Sequence, residues 1–142
     1  MTRRSALAPA IVLALAACGG PSDSSPEAAF RSFVAALQAT RDDPGQVDRV
    51  IALLSSSDRR ELRRRADATK RLGGEAQTPA DLLVLERMEI AWTPQKVAVA
   101  KRAGRRAEIV ATGPERQRAR IVMVQEDDGW RVSLGLTRSR GD

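Results

Sequence analysis

The sequence contains no histidine, no tyrosine and no asparagine, and it has a single cysteine, Cys18. These absences exclude much chemistry. Ser-His-Asp and Cys-His triads, HExxH zinc sites, Cys/His metal clusters and a histidine general base are all out of reach. One cysteine cannot close an intramolecular disulfide. Neither a GxxxxGK[ST] nor a GxGxxG phosphate loop occurs, and Leu72-Gly73-Gly74 reads as a helix stop. An enzyme built on this chain would have to work with Asp, Glu, Arg, Lys, Ser or Thr alone. No catalytic residue, metal or cofactor is therefore assigned, and the reading favours a binding module over an enzyme.

What is present begins with the N-terminus. Arg3 and Arg4 precede an uncharged, Leu- and Ala-rich run from Ser5 to Ala17, interrupted only by Pro9. A transmembrane helix needs about 20 apolar residues, so this shorter run reads as a cleavable secretory signal over residues 1–17. Leu15, Ala16, Ala17 and Cys18 resemble the bacterial lipobox, in which the thiol is acylated and the chain is cut just before it. The resemblance covers about the first 25 residues. It implies that Cys18 is a lipidation site, an anchor and not a nucleophile, and that the protein sits in the bacterial cell envelope. Each buried CH₂ of an acyl chain contributes about 0.8 kcal/mol, so two or three chains hold a protein where one would be marginal. Gly19, in place of an aspartate after the lipidated residue, points to the outer membrane, facing the periplasm. Residues 18–25, rich in Gly, Ser and Pro, read as a flexible tether.

The remaining chain is long enough for one domain with its own core. Loss of Arg3 and Arg4 lowers the net charge from +6 to about +4. Ser25, Pro26 and Glu27 form a helix start, and Ala29, Phe30, Phe33, Val34 and Leu37 recur at helical spacing to about Ala39. A short helix is expected from about Gln46 to Leu54. A third, opened by Asp58 and Glu61 as a capping box and closed at Gly73-Gly74, places Leu62, Ala66, Thr69 and Leu72 on one side. Its other side carries Arg59, Arg60, Arg63 and Arg64, a candidate anion-binding face that is otherwise a solvated surface with a Glu61–Arg65 pair. Thr78-Pro79 starts one more helix, ended by Trp92. From Gln95 the texture changes to short alternating runs, giving strands near residues 96–102, 106–112, 117–126 and 130–136 with a hairpin at Asp127–Gly129. Ile121, Val122, Met123 and Val124 are all apolar, so the third strand is either covered on both faces or meets a partner on one. The fold class is α+β: three to four N-terminal helices on one face of a curved, four-stranded antiparallel meander. Residues 137–142 read as a frayed tail.

A first helix "SPEAAFRSFVAAL", further helices and a meander ending "EDDGWRVSLGL" resemble the nuclear transport factor 2-like superfamily, particularly its lipoproteins, over residues 26–136. The resemblance implies a cone whose sheet and helices enclose a pocket, in proteins that include isomerases, dehydratases, cyclases and non-catalytic binding modules. Met88, Trp92, Met123 and Trp130 are the candidate pocket residues, with packing in the core as the alternative. Glu86, Glu89 and Glu108 are the acids nearest the expected pocket walls, each more simply a surface carboxylate or an arginine partner. The expected function is a membrane-anchored, non-catalytic ligand-binding or protein-interaction module. The alternatives are an acid/base enzyme of the cone fold and an anionic-surface binder acting through the arginine helix. The partners that suit it are the membrane through the lipid, an envelope protein or small apolar ligand, and a second copy through the sheet. Nucleic acid is not expected, because Trp130 is the one strand-borne aromatic.

Overall fold

A computed structural model describes residues 24–85 and 92–137. Ser25 caps the first helix, α1 (Pro26–Asp42): its hydroxyl accepts the Ala28 N–H at 3.1 Å, with Pro26 in the first turn. The helix continues one turn beyond the expected end and stops before Pro44, where Asp43 accepts the Gly45 N–H and opens a single 3₁₀ turn. A short helix, α2 (Val47–Ala52), follows, then α3 (Ser56–Arg71) and α4 (Pro79–Leu85).

Four strands, β1 (Lys96–Ala103), β2 (Arg106–Thr112), β3 (Arg118–Glu126) and β4 (Gly129–Ser133), pair antiparallel in chain order, as a meander. The sheet is open: β1 and β4 are its edges. Its inner face carries Ala107, Ile109 and Ala111 of β2, Ile121 and Met123 of β3, and Trp130 and Val132 of β4, all buried. The register that stacks them pairs Ile109 with Ile121, Ala107 with Met123 and Met123 with Val132. Ala29, Phe30, Phe33, Val34 and Ala36 of α1 pack across this face, joined by Val50, Leu54, Leu62 and Leu83 from the other helices. Full burial of each large apolar side chain stabilises the fold by about 1.5–3 kcal/mol, so α1 and the sheet together form the core. The α+β architecture, with helices preceding and packing on one face of a four-stranded meander, is the one that the periodicities predict.

On the opposite face Val110, Val122 and Val124 are only half-buried, and α1, the helix that lies across the sheet, is on the inner side. Among the described elements, α1 covers the inner face of the third strand, and Val122 and Val124 on its other face are half-buried.

The start of α3 differs from expectation. Its cap is Ser55, with Asp58 at the third helical position, not Asp58 with Glu61. Asp58 donates its N–H to Ser55 Oγ at 3.2 Å, and Ser55 Oγ donates to Asp58 Oδ2 at 2.7 Å. The same carboxylate reaches the end of the sheet: Oδ2 accepts the Leu134 N–H at 2.8 Å and Oδ1 the Leu136 N–H at 2.9 Å. Gly135, at φ +68°, turns the backbone so that the donors on either side of it converge on one carboxylate. Just upstream, Leu54 forms a parallel bridge with Val132, in which Ser55 N–H donates to the Val132 carbonyl and Val132 N–H to that of Leu53. Residues 134–136 are therefore held by α3 and are not a continuation of β4. Leu72, expected on the inner side of α3, is 87% exposed because the helix ends at Arg71.

Removing the Asp58 carboxylate leaves two backbone N–H groups without their acceptor. Asp58→Ala is expected to lower the unfolding free energy by about 3 kcal/mol or more, whereas Ser55→Ala costs about 1 kcal/mol. Urea denaturation of both variants checks this; equal small losses would show that the carboxylate is not the clamp.

Candidate functional site

Of the apolar candidates among the described residues, none lines a described cleft. Met123 and Trp130 are 0% and 1% exposed and belong to the packed core between α1 and the sheet, while Trp92 is partly buried against its rim. Phe30, Phe33 and Leu54 belong to the same fully buried cluster. The two fully buried candidates thus fill the interior instead of lining it, because the register directs them to the inner face opposite the phenylalanines. Met88, Glu86 and Glu89 lie outside the described residues, as does Cys18.

Glu108 is on the outer face of β2, where Arg120 Nη1 donates to its Oε1 at 2.6 Å. It is an arginine partner half open to solvent. Among the described residues no cluster of carboxylates converges as metal ligands would, and no helix is long and apolar enough to cross a membrane.

The arginine face of α3 is split by its partners. Arg64 makes a two-pronged contact with Glu61 at 2.7 and 2.8 Å, and Arg65 joins the same carboxylate at 2.9 Å. Arg59 lies 3.7 Å from Glu126, whose Oε1 also accepts the Ser56 N–H at 2.7 Å. This acid at the first turn of α3 complements the helix dipole. Arg60 and Arg63 are exposed. Arg59 and Arg63 border a surface cleft of about 430 Å³ together with Asp48 and Thr78, so even there an acid faces the arginines. The four arginines do not act as one patch.

A second group of cations is brought together by the sheet register. On the outer face Lys96 is opposite Thr112, and Thr112 is opposite Arg118; one step along, Ala98, Val110 and Arg120 form the next row. Arg116 reaches the same place from the β2–β3 turn. Lys96, Ala98, Val110, Thr112, Arg116 and Arg118 line a cleft of about 390 Å³. Sequence reasoning placed these cations in strands and a turn without joining them, since the grouping depends on pairing three strands in register. The available signal was the shared parity of Lys96, Ala98, Val110, Thr112, Arg118 and Arg120, legible once the pairing is known.

The described residues define a helix-backed open sheet with a filled inner face and a basic cleft on its outer face. Comparison with known protein families, characterised proteins and solved structures gave no match.

The Glu61 cluster sets an acid limit on stability. Hydrogen bonds from Arg64, then Arg65, lower the Glu61 carboxyl from 4.5 to about 2. Its contribution is complete above about pH 4.5, the ordinary value, and is lost as pH falls toward 2. The difference in urea midpoint between wild type and Glu61→Gln is therefore expected to be largest above pH 4.5 and to close toward pH 2. A constant difference would show that the ion pairs do not carry it.

Proposed function

We propose that this chain is a lipoprotein of the bacterial cell envelope, anchored through Cys18, whose domain is a non-catalytic binding module acting through the outer face of its sheet. The observation that carries this reading is the contrast between the two faces among the described residues: the inner one is filled by Phe30, Phe33, Met123 and Trp130, and the outer one sets half-buried Val110, Val122 and Val124 beside exposed Lys96, Arg106, Arg118 and Arg120. An enzyme of the cone type needs an enclosed site with an acid or base in it. Among the described residues the interior is packed with apolar side chains, and Glu108 is engaged by Arg120 on the other side. Membership of the nuclear transport factor 2-like superfamily is part of the same proposal; helices followed by an antiparallel meander support it at the level of architecture. Lys96, Lys101, Arg106, Arg116 and Arg118 on or beside the outer face suit an acidic partner, with Glu108 the acid among them.

Anchoring is tested by labelling cells with an alkyne analogue of palmitate: the wild type is labelled and Cys18→Ser is not. Label on the variant would overturn the anchor. The binding face is tested by placing a photo-crosslinking residue at Val122, central on the outer face, or at Arg31, exposed on α1. Val122 is expected to give a defined envelope adduct and Arg31 none, and the reverse result would overturn the assignment of the face.

A further inference from the structure

We propose that the cleft formed by Lys96, Thr112, Arg116 and Arg118 is a binding site for a phosphate ester; this deepens the reading of the outer face as the binding surface. Adjacent strands lie about 4.8 Å apart, so the row Lys96–Thr112–Arg118 sets the backbones of Lys96 and Arg118 roughly 10 Å apart with Thr112 between them. Long side chains from both flanks can converge over its hydroxyl. Among the described residues the Thr112 hydroxyl has no hydrogen-bond partner, which leaves it available to donate.

Among the described residues the three cations lack the carboxylate partner that two nearby arginines have. Arg120, one row away, is held by Glu108 at 2.6 Å; Arg105 is held by Asp127 at 2.7 Å. Among the described residues no carboxylate pairs with Lys96, Arg116 or Arg118. Like charges gathered on one face repel. An anion between them removes that repulsion.

Arg116 carries the strongest sign of a role beyond folding. It is the one non-glycine residue at positive φ among the described residues, at +62°. The Gly113 N–H donates to the Gln117 carbonyl at 2.9 Å, closing a three-residue loop whose last position, left-handed, is the usual place for glycine. The chain keeps an arginine there. The loop around it is fixed: the Gln117 side-chain carbonyl accepts the Glu115 N–H at 3.0 Å, and Gly113 is so closely covered that a Cβ would lie 2.5 Å from Gln117 Oε1 and 2.8 Å from the Trp92 ring. Glu115, the acid of this loop, is drawn toward Gln117 Nε2 at 3.4 Å. Arg116 is thus presented to the cleft from a built turn.

The lining selects the ligand class. Two guanidinium forks and a hydroxyl suit the several oxygens of a phosphate, and three positive charges suit a group that carries up to two negative ones. Ala98 and Val110 supply an apolar floor, and about 390 Å³ exceeds what a bare phosphate fills, leaving room for the organic part of an ester. A lipid headgroup and a water-soluble or polymeric phosphate ester share this chemistry.

The test uses the full-length lipidated protein in non-ionic detergent, with phenyl phosphate as the soluble probe, followed by NMR. Binding is expected to shift the amides of Ala98, Val110, Thr112 and Arg116. A combined Lys96→Gln, Arg116→Gly, Arg118→Gln variant should weaken it at least tenfold, while Lys70→Gln with Arg71→Gln on α3 leaves it unchanged. Arg116→Gly alone should weaken binding severalfold and raise the melting midpoint, since glycine relieves the backbone; that opposed pair of effects separates a ligand role from a structural one. Detergent micelles doped with phosphatidic acid, against micelles doped with phosphatidylcholine, identify the source. Binding more than tenfold tighter than phenyl phosphate indicates a lipid headgroup, and equal binding a soluble or polymeric ester. No shift at Thr112, or equal loss in the α3 control, overturns the site. If the Val122 crosslink persists in that case, the outer face remains the binding surface and only the phosphate assignment falls.

Discussion

One buried carboxylate joins the two halves of this domain. Asp58, 1% exposed, accepts hydrogen bonds from the Ser55 hydroxyl and from the backbone N–H groups of Leu134 and Leu136. A charge so deeply placed would be costly if its lone pairs were empty, and hydrogen bonds to a charged acceptor contribute more than neutral ones. The consequence is geometric as well as energetic. α3 is fixed at its first turn against β4, the Leu54–Val132 bridge covers that edge, and the chain beyond β4 is folded back along the helix, where Arg65 donates to the Leu136 carbonyl at 2.9 Å.

With one edge covered, the other must be protected in a different way. β1 leaves backbone groups unpaired along its outer side, an invitation to pair with another chain. It is broken by an irregularity between Val99 and Lys101 and carries Lys96, Lys101 and Arg102. A bulge and charge are the usual means of blunting an edge. Arg102 also lies 5.0 Å over the Trp130 ring, closing the core at that margin with an attractive cation–π contact. Edge-to-edge association is thus disfavoured, and the outer face of the sheet is left as the open surface of the strand layer.

Much of this architecture was legible because it rests on local periodicity. The spacing of Ala29, Phe30, Phe33 and Val34 defines a helix face, and the alternation in residues 106–112 together with the turn signals around residues 117–126 defines strands, although the apolar run Ile121–Val124 leaves the core face of the third strand open. What was not legible depends on contacts remote in sequence. Ser55 and Asp58 form an ordinary capping pair by spacing, yet the local pattern equally allowed Asp58 with Glu61; the choice is made by Leu134 and Leu136, more than 70 residues away. Met123 and Trp130 had the chemistry of pocket residues and the position of core residues, and only the packing of Phe30 and Phe33 against the inner face decides between the two. The basic cleft escaped for the same reason, since Lys96, Arg116 and Arg118 become neighbours through strand register.

The distribution of charge also bears on catalysis. A chain with 24 basic and 18 acidic residues offers most carboxylates a cationic partner, and here Glu61, Glu108, Glu126, Asp127 and Asp128 each have an arginine within ion-pair distance. For Glu61 and Asp128 the arginine hydrogen bonds hold the carboxyl below its ordinary value, which makes each a poorer base. Asp58 is the acid whose burial would otherwise draw a catalytic assignment. Its oxygens are already committed to two backbone donors and a serine hydroxyl, in a structural joint and not at the wall of any described cleft. On the outer sheet face, by contrast, Lys96, Arg116 and Arg118 have no carboxylate partner among the described residues.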